Sequence, residues 1–158
     1  MESGVFVQQL VNGISLGGVY AVMAVGFGLV FNVLKFSNFS HGGVVTVSAY
    51  AGFYISSKLI SSFPLALIAT ILVGAATGLL IERLVFRPVR LAKKPLTYLF
   101  VNSITVAMMV QQTFAAIWGS YYFPYPEFFK RTAFSIGQLV FSGTYLLMLA
   151  VSAVVLIL

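Results

Sequence analysis

The stretch Glu82-Arg83-Leu84-Val85-Phe86-Arg87-Pro88-Val89-Arg90-Leu91-Ala92-Lys93-Lys94 constrains this chain most. It carries five of the nine Lys and Arg residues: Arg83, Arg87, Arg90, Lys93 and Lys94. Long apolar runs flank it on both sides. A charged side chain at the centre of a bilayer costs about 2.5–3.5 kcal/mol, so five would cost roughly 12 kcal/mol. This segment therefore has to lie in water, and short basic loops stay on the cytoplasmic side. That placement orients every other segment.

The flanking runs lead to a membrane reading. The 158 residues are 60% hydrophobic and 8% charged, against about 25% charged in soluble domains. Mean hydropathy is +1.03. There is too little polar surface to coat a soluble globule. The net charge of +6 fits basic loops beside anionic lipid headgroups, and no nucleic-acid partner is expected. Cys is absent, which excludes disulfides, thiolate metal sites and a cysteine nucleophile. The start, Met1-Glu2-Ser3-Gly4, lacks the basic region of a cleaved signal peptide, so the first apolar run is read as a retained span.

A span needs about 20 predominantly apolar residues. The predicted fold is an all-α polytopic integral membrane protein, one transmembrane domain over 1–158. Its five spans are placed at about 5–31, 42–60, 64–84, 96–118 and 136–158. Pro64 suits a first helical turn. With the 83–94 loop inside, Lys35 also falls inside, Lys58 and the aromatic segment from Tyr121 to Arg131 fall outside, and the N-terminus is external. The last span runs to Leu158 with no basic or aromatic flank, so the chain is expected to be incomplete at its C-terminus.

Chemistry is sparse. The one His and three acids form no metal-spaced cluster and no Ser-His-Asp set, and no phosphate-binding Gly-Lys-Ser/Thr loop occurs. No catalytic residue or metal site is expected. Small-residue pairs, Gly13-x3-Gly17 and Gly74-x3-Gly78, predict close helix packing. Polar side chains at membrane depth usually face a bundle interior or cavity. On that ground Asn12, Tyr20, Asn38, Ser40 and His41 are the candidate substrate path. A plain helix start, with Asn38 or Ser40 capping free amides, explains part of the same pattern. Asn102, Ser103, Thr105, Gln111 and Gln112 are further polar residues in the fourth span.

Three segments carry a family resemblance. Gln8-Gln9-Leu10-Val11-Asn12-Gly13-Ile14-Ser15-Leu16-Gly17-Gly18-Val19-Tyr20-Ala21 resembles the N-terminal helix of LivH/LivM-type permeases, the membrane subunits of branched-chain amino acid ABC importers. Asn38-Phe39-Ser40-His41-Gly42 resembles the family's Asn-Phe-Ala/Ser-His-Gly motif. Ile81-Glu82-Arg83-Leu84-Val85-Phe86-Arg87-Pro88-Val89-Arg90 resembles its Glu-Arg-x3-Arg-Pro-x-Arg segment. The resemblance is clear over about Val5 to Arg90. It implies a second permease subunit, two ATPase subunits that bind ATP and Mg, and an extracytoplasmic substrate-binding protein. It also implies a bacterial or archaeal plasma (inner) membrane. The substrates implied are branched-chain amino acids or related small polar solutes. The family's ATPase-coupling loop has no counterpart in this chain.

Two other functions remain open at this level: a truncated, non-transporting membrane scaffold or accessory subunit, and a passive channel for a neutral solute. The orientation itself is testable. In intact cells, an Ala92→Cys variant should resist a membrane-impermeant thiol reagent and react with it once the membrane is opened.

Overall fold

The computed structural model describes residues 2–60, 62–119, 121, 123–124, 134–136, 139–141 and 143–157. Six helices are labelled in chain order: α1 (Glu2–Leu34), α2 (Ser40–Tyr54), α3 (Phe63–Ile81), α4 (Arg87–Leu91), α5 (Leu96–Trp118) and α6 (Gly143–Ile157). Two short strands, β1 (Phe134–Ile136) and β2 (Leu139–Phe141), pair antiparallel between α5 and α6. The segments Val5–Leu34, Phe63–Leu91 and Leu96–Trp118 are long and apolar enough to cross a membrane. The protein is thus an all-α polytopic membrane protein with one small hairpin.

Two helices end in wide, π-helical turns, and each has a chemical cause. After Tyr54, residues Ile55–Leu59 form one such turn, closed by Ile60 N–H donating to the Ile55 carbonyl at 2.8 Å. Ser56 and Ser57 both turn their hydroxyls onto the Phe53 carbonyl. Serines that bond back to the preceding turn compete with the α-helical ladder. The second wide turn, Glu82–Phe86, joins α3 to α4. Pro88 follows it, and proline has no N–H and clashes with the carbonyl four residues back. A wider turn relieves that clash, so the helix continues instead of ending at 84. The expected 83–94 loop is therefore mostly helix, and only Ala92–Pro95 turns.

The described residues group into two compact units: Met1–Leu29 with Glu127–Leu158, and Val30–Pro126. Within the first, α6 packs on α1 at Gly18. A Cβ on Gly18 would lie 3.2 Å from Ser152 Cβ. The expected packing pair Gly13 and Gly17 instead faces open space, with no described atom within 4 Å. Gly18 is one residue along and so on another face of the helix. In this unit the fifth span also starts later than 136. Phe134 pairs with Phe141 and Ile136 with Leu139, the aromatic and branched residues that favour strands.

Within the second unit, α2 lies between α3 and α5. A small buried cluster of Phe36, Phe86 and Leu99 is packed by Leu34, Ile81, Val85 and Val89. About half of the other large apolar side chains of this unit are exposed, as a lipid-facing surface requires. At the other end of the unit, Tyr50, Phe53, Tyr54, Phe114, Trp118 and Phe123 form a ring cluster, with Trp118 Nε1 donating to Tyr54 Oη at 2.8 Å. Of the aromatic segment Tyr121–Arg131, residues 122 and 125–131 lie outside the described residues. Gly119 ends α5 at φ +69°, a conformation glycine adopts at low cost.

The α2–α3 contact turns on Gly74. A Cβ there would sit 2.7 Å from Ser48 Oγ, which itself donates to the Val44 carbonyl at 2.8 Å. Gly74→Ala should destabilise the chain by about 1–3 kcal/mol through overpacking. Adding Ser48→Ala, which removes the clashing oxygen, should recover most of the loss. Thermal unfolding in detergent of the two single variants and the double variant checks this.

Candidate functional site

The site is built around the break between α1 and α2. α1 stops because Lys35 turns left-handed, at φ 59°. Its N–H still reaches the Phe31 carbonyl at 2.8 Å, and its Nζ donates to Asn32 Oδ1 at 2.9 Å. A cation at a helix C-terminus also opposes the helix dipole. Phe36 then turns inward and meets Phe86 edge-on, with ring centroids 5.5 Å apart. That contact anchors the connection over the apolar cluster.

Residues 37–40 carry a polar network that partners two amides of the connecting backbone, those of Phe39 and Ser40. Asn38 Oδ1 accepts from Ser40 N–H at 3.1 Å and from Ser40 Oγ at 2.6 Å. Ser103, reaching across from α5, accepts from Phe39 N–H at 3.2 Å. Its own hydroxyl proton faces the Phe100 carbonyl at 2.7 Å and the Ser37 carbonyl at 3.4 Å. Asn38 is 9% exposed, Ser40 1% and Ser103 0%. Among the described residues, no buried side-chain nitrogen or oxygen lacks a partner. Such a fully satisfied network holds a single loop conformation.

Beside this network lies a cleft of about 270 Å³. Asn38 lines it from the connection before α2, Ser40 and His41 from the start of α2, Gly78 and Ile81 from α3, and Glu82 and Phe86 from the wide turn. Val30, Leu34 and Val44 complete an apolar wall. The cleft therefore combines hydrogen-bonding groups with aliphatic and aromatic surface. Glu82 also pairs with Arg90 across the wide turn. Both side chains are partly in solvent, so the pair contributes at most about 1 kcal/mol.

The sequence of residues 9–158 matches the family described as the branched-chain amino acid transport system permease component. The chain belongs to this permease family. It is similar to the high-affinity branched-chain amino acid transport permease LivH of Salmonella typhimurium, at 31% identity over 133 residues. Escherichia coli K12 LivH is 29% identical over the same length. Each alignment covers 79% of this chain and 42% of the relative. The BraD permease of Pseudomonas aeruginosa is 37% identical over 93 residues, covering 54% of this chain and 30% of the relative. The chain thus spans about two-fifths of the LivH proteins it matches. No solved structure matches it.

The permease structure brings together three of the five path candidates. Asn38, Ser40 and His41 share the cleft; Asn12 and Tyr20 are not among its lining residues. Asn12 accepts from Gln8 Nε2 at 3.2 Å along α1, and Tyr20 is largely exposed. Gly78, expected only as a packing residue, lines the cleft and has no described atom within 4 Å of an added Cβ. Of the basic residues, Arg83, Arg87 and Arg90 lie in the helical extension, and Lys93 and Lys94 in the turn after it. Ser103 is the residue whose importance the sequence did not single out. In sequence it is indistinguishable from Thr105, whose hydroxyl bonds only within its own helix, to Val101.

Two substitutions test the network. Asn38→Ala leaves the buried Ser40 amide without its acceptor, and Ser103→Ala does the same to Phe39. Each should cost about 1–3 kcal/mol. Because both residues hold the same four-residue connection, the double variant should lose less than the sum, as a double-mutant cycle of melting temperatures in detergent would read.

Proposed function

We propose that this chain forms part of the membrane permease of an ATP-driven importer for branched-chain amino acids or related small polar solutes. The family match over residues 9–158 carries this reading, and the LivH and BraD relatives, named as high-affinity branched-chain amino acid transport permeases, support it. The chain would work with a second permease subunit, two ATPase subunits and an extracytoplasmic substrate-binding protein. ATP and Mg would bind to the ATPases. The chain would sit in a bacterial or archaeal plasma (inner) membrane, N-terminus outside and residues 83–94 inside.

The residues present suit such a cargo. A branched aliphatic amino acid needs apolar contact for its side chain and hydrogen bonds for its charged ends. The cleft offers Val30, Leu34, Val44 and Phe86 for the first and His41 and Glu82 for the second, with Ser40 behind them holding Asn38. Asn12 and Tyr20 would add polar groups along α1 during passage. The Asn38–Ser40 bond sets the rim of the cleft and would position His41 one residue on.

Uptake of radiolabelled leucine in a strain lacking its own system tests the proposal. Expressing the full-length gene together with the partner subunits should restore energy-dependent uptake. His41→Ala should lower that uptake by roughly tenfold, the scale of losing one good hydrogen bond at 1.4 kcal/mol per factor of ten. Unchanged uptake in His41→Ala and Asn38→Ala would remove both from the path.

A further inference from the structure

We propose that the exposed face of the α3–α4 extension is a seat for an anionic phospholipid, with Arg83 and Arg87 on its headgroup phosphate. Several observations converge on this segment. Arg83, Arg87, Lys93 and Lys94 are all exposed. Between residues 82 and 94 the one acid is Glu82, and it is engaged by Arg90. The remaining four cations have no carboxylate of their own segment to neutralise them.

Apolar surface is interleaved with this charge. Leu79, Leu80, Leu84 and Leu91 are 58%, 57%, 72% and 72% exposed. Arg83 lies four residues after Leu79, and Arg87 lies four before Leu91. Residues four apart are surface neighbours on a helix. The wide turn at Glu82–Phe86 keeps the segment helical past Pro88, so leucines and arginines share one continuous rod. One ligand class presents acyl chains and a phosphate together at that depth, and that is a membrane phospholipid. A soluble acidic protein would engage the arginines and leave the exposed leucines uncovered.

The end of the rod is closed by backbone hydrogen bonds. Lys93 N–H donates to the Arg90 carbonyl at 3.0 Å, and Lys94 N–H to the Val89 carbonyl at 3.3 Å. This is a helix-closing motif that usually places glycine where Lys93 stands, at φ 51°. A left-handed lysine is strained, yet it projects a third cation beside the fourth at the boundary. Basic clusters at the end of a membrane helix attract anionic headgroups at about 1 kcal/mol per charge.

The test uses the purified chain in neutral detergent, titrated with phosphatidylglycerol and read by native mass spectrometry. Phosphatidylglycerol should bind well above phosphatidylcholine, and Arg83→Gln with Arg87→Gln should weaken it roughly thirtyfold. Lys58→Gln, a cation at the far end of α2, should leave binding unchanged. Unaltered circular dichroism keeps a folding defect from imitating the result. Equal binding of the two lipids would overturn the proposal. So would equal competition by inorganic phosphate, which would mean an anion site without lipid. Binding that survives the double arginine variant would overturn it as well, leaving these cations to an acidic protein partner.

Discussion

Every backbone N–H and C=O freed where a helix breaks must find a partner, in protein or in water, and three breaks of the chain show how that demand is met. Buried without one, such a group costs about 1–3 kcal/mol. The Val30–Pro126 unit meets the demand in three different ways. Between α1 and α2, side chains do it: Asn38 takes the Ser40 amide and Ser103 takes that of Phe39. After α2 the backbone does it, through the wide turn closed at Ile60. After α4 a helix-closing motif returns the amides of Lys93 and Lys94 to the preceding turn. The cleft exists where the first of these solutions meets the second wide turn.

How much of this was legible in the sequence depends on the range over which each residue acts. Pro64 marks the start of α3, because its effect is local to one turn. α5 runs from Leu96 to Trp118, as hydropathy alone predicts. Orientation, by contrast, rests on the charge count alone. The wide turns were not legible, because their cause is a competition among neighbouring hydrogen bonds that leaves apolar content unchanged. Pro88 reads as the end of a helix until the extra width before it is seen. The span expected from 136 failed for a related reason: an apolar count does not separate a short hairpin from helix, although Phe134, Ile136, Leu139 and Phe141 alternate as a strand pair would.

The candidate site divides along the same line. Asn38, Ser40 and His41 stood out as a compact polar group next to an apolar run, and they share one cleft. Glu82 was visible only as a charge at a span end, because its place in the cleft depends on how α3 packs against α2. Ser103 acts on a residue 64 positions away in sequence, and no local pattern reports that. Glycine spacing was equally ambiguous. Gly13 and Gly17 satisfy the pairing rule and have open space around them, whereas Gly18 and Gly74 meet neighbouring helices. Spacing identifies where a helix can be approached, and the partner helix decides which face is used.

The close approach at Gly74 has an evolutionary consequence. A Cβ at Gly74 and the Ser48 hydroxyl would compete for the same space between α2 and α3, at 2.7 Å from each other. Positions 48 and 74 are therefore expected to change together along any lineage, a larger residue at one being matched by a smaller one at the other. Two residues 26 apart in sequence would then drift as a single character.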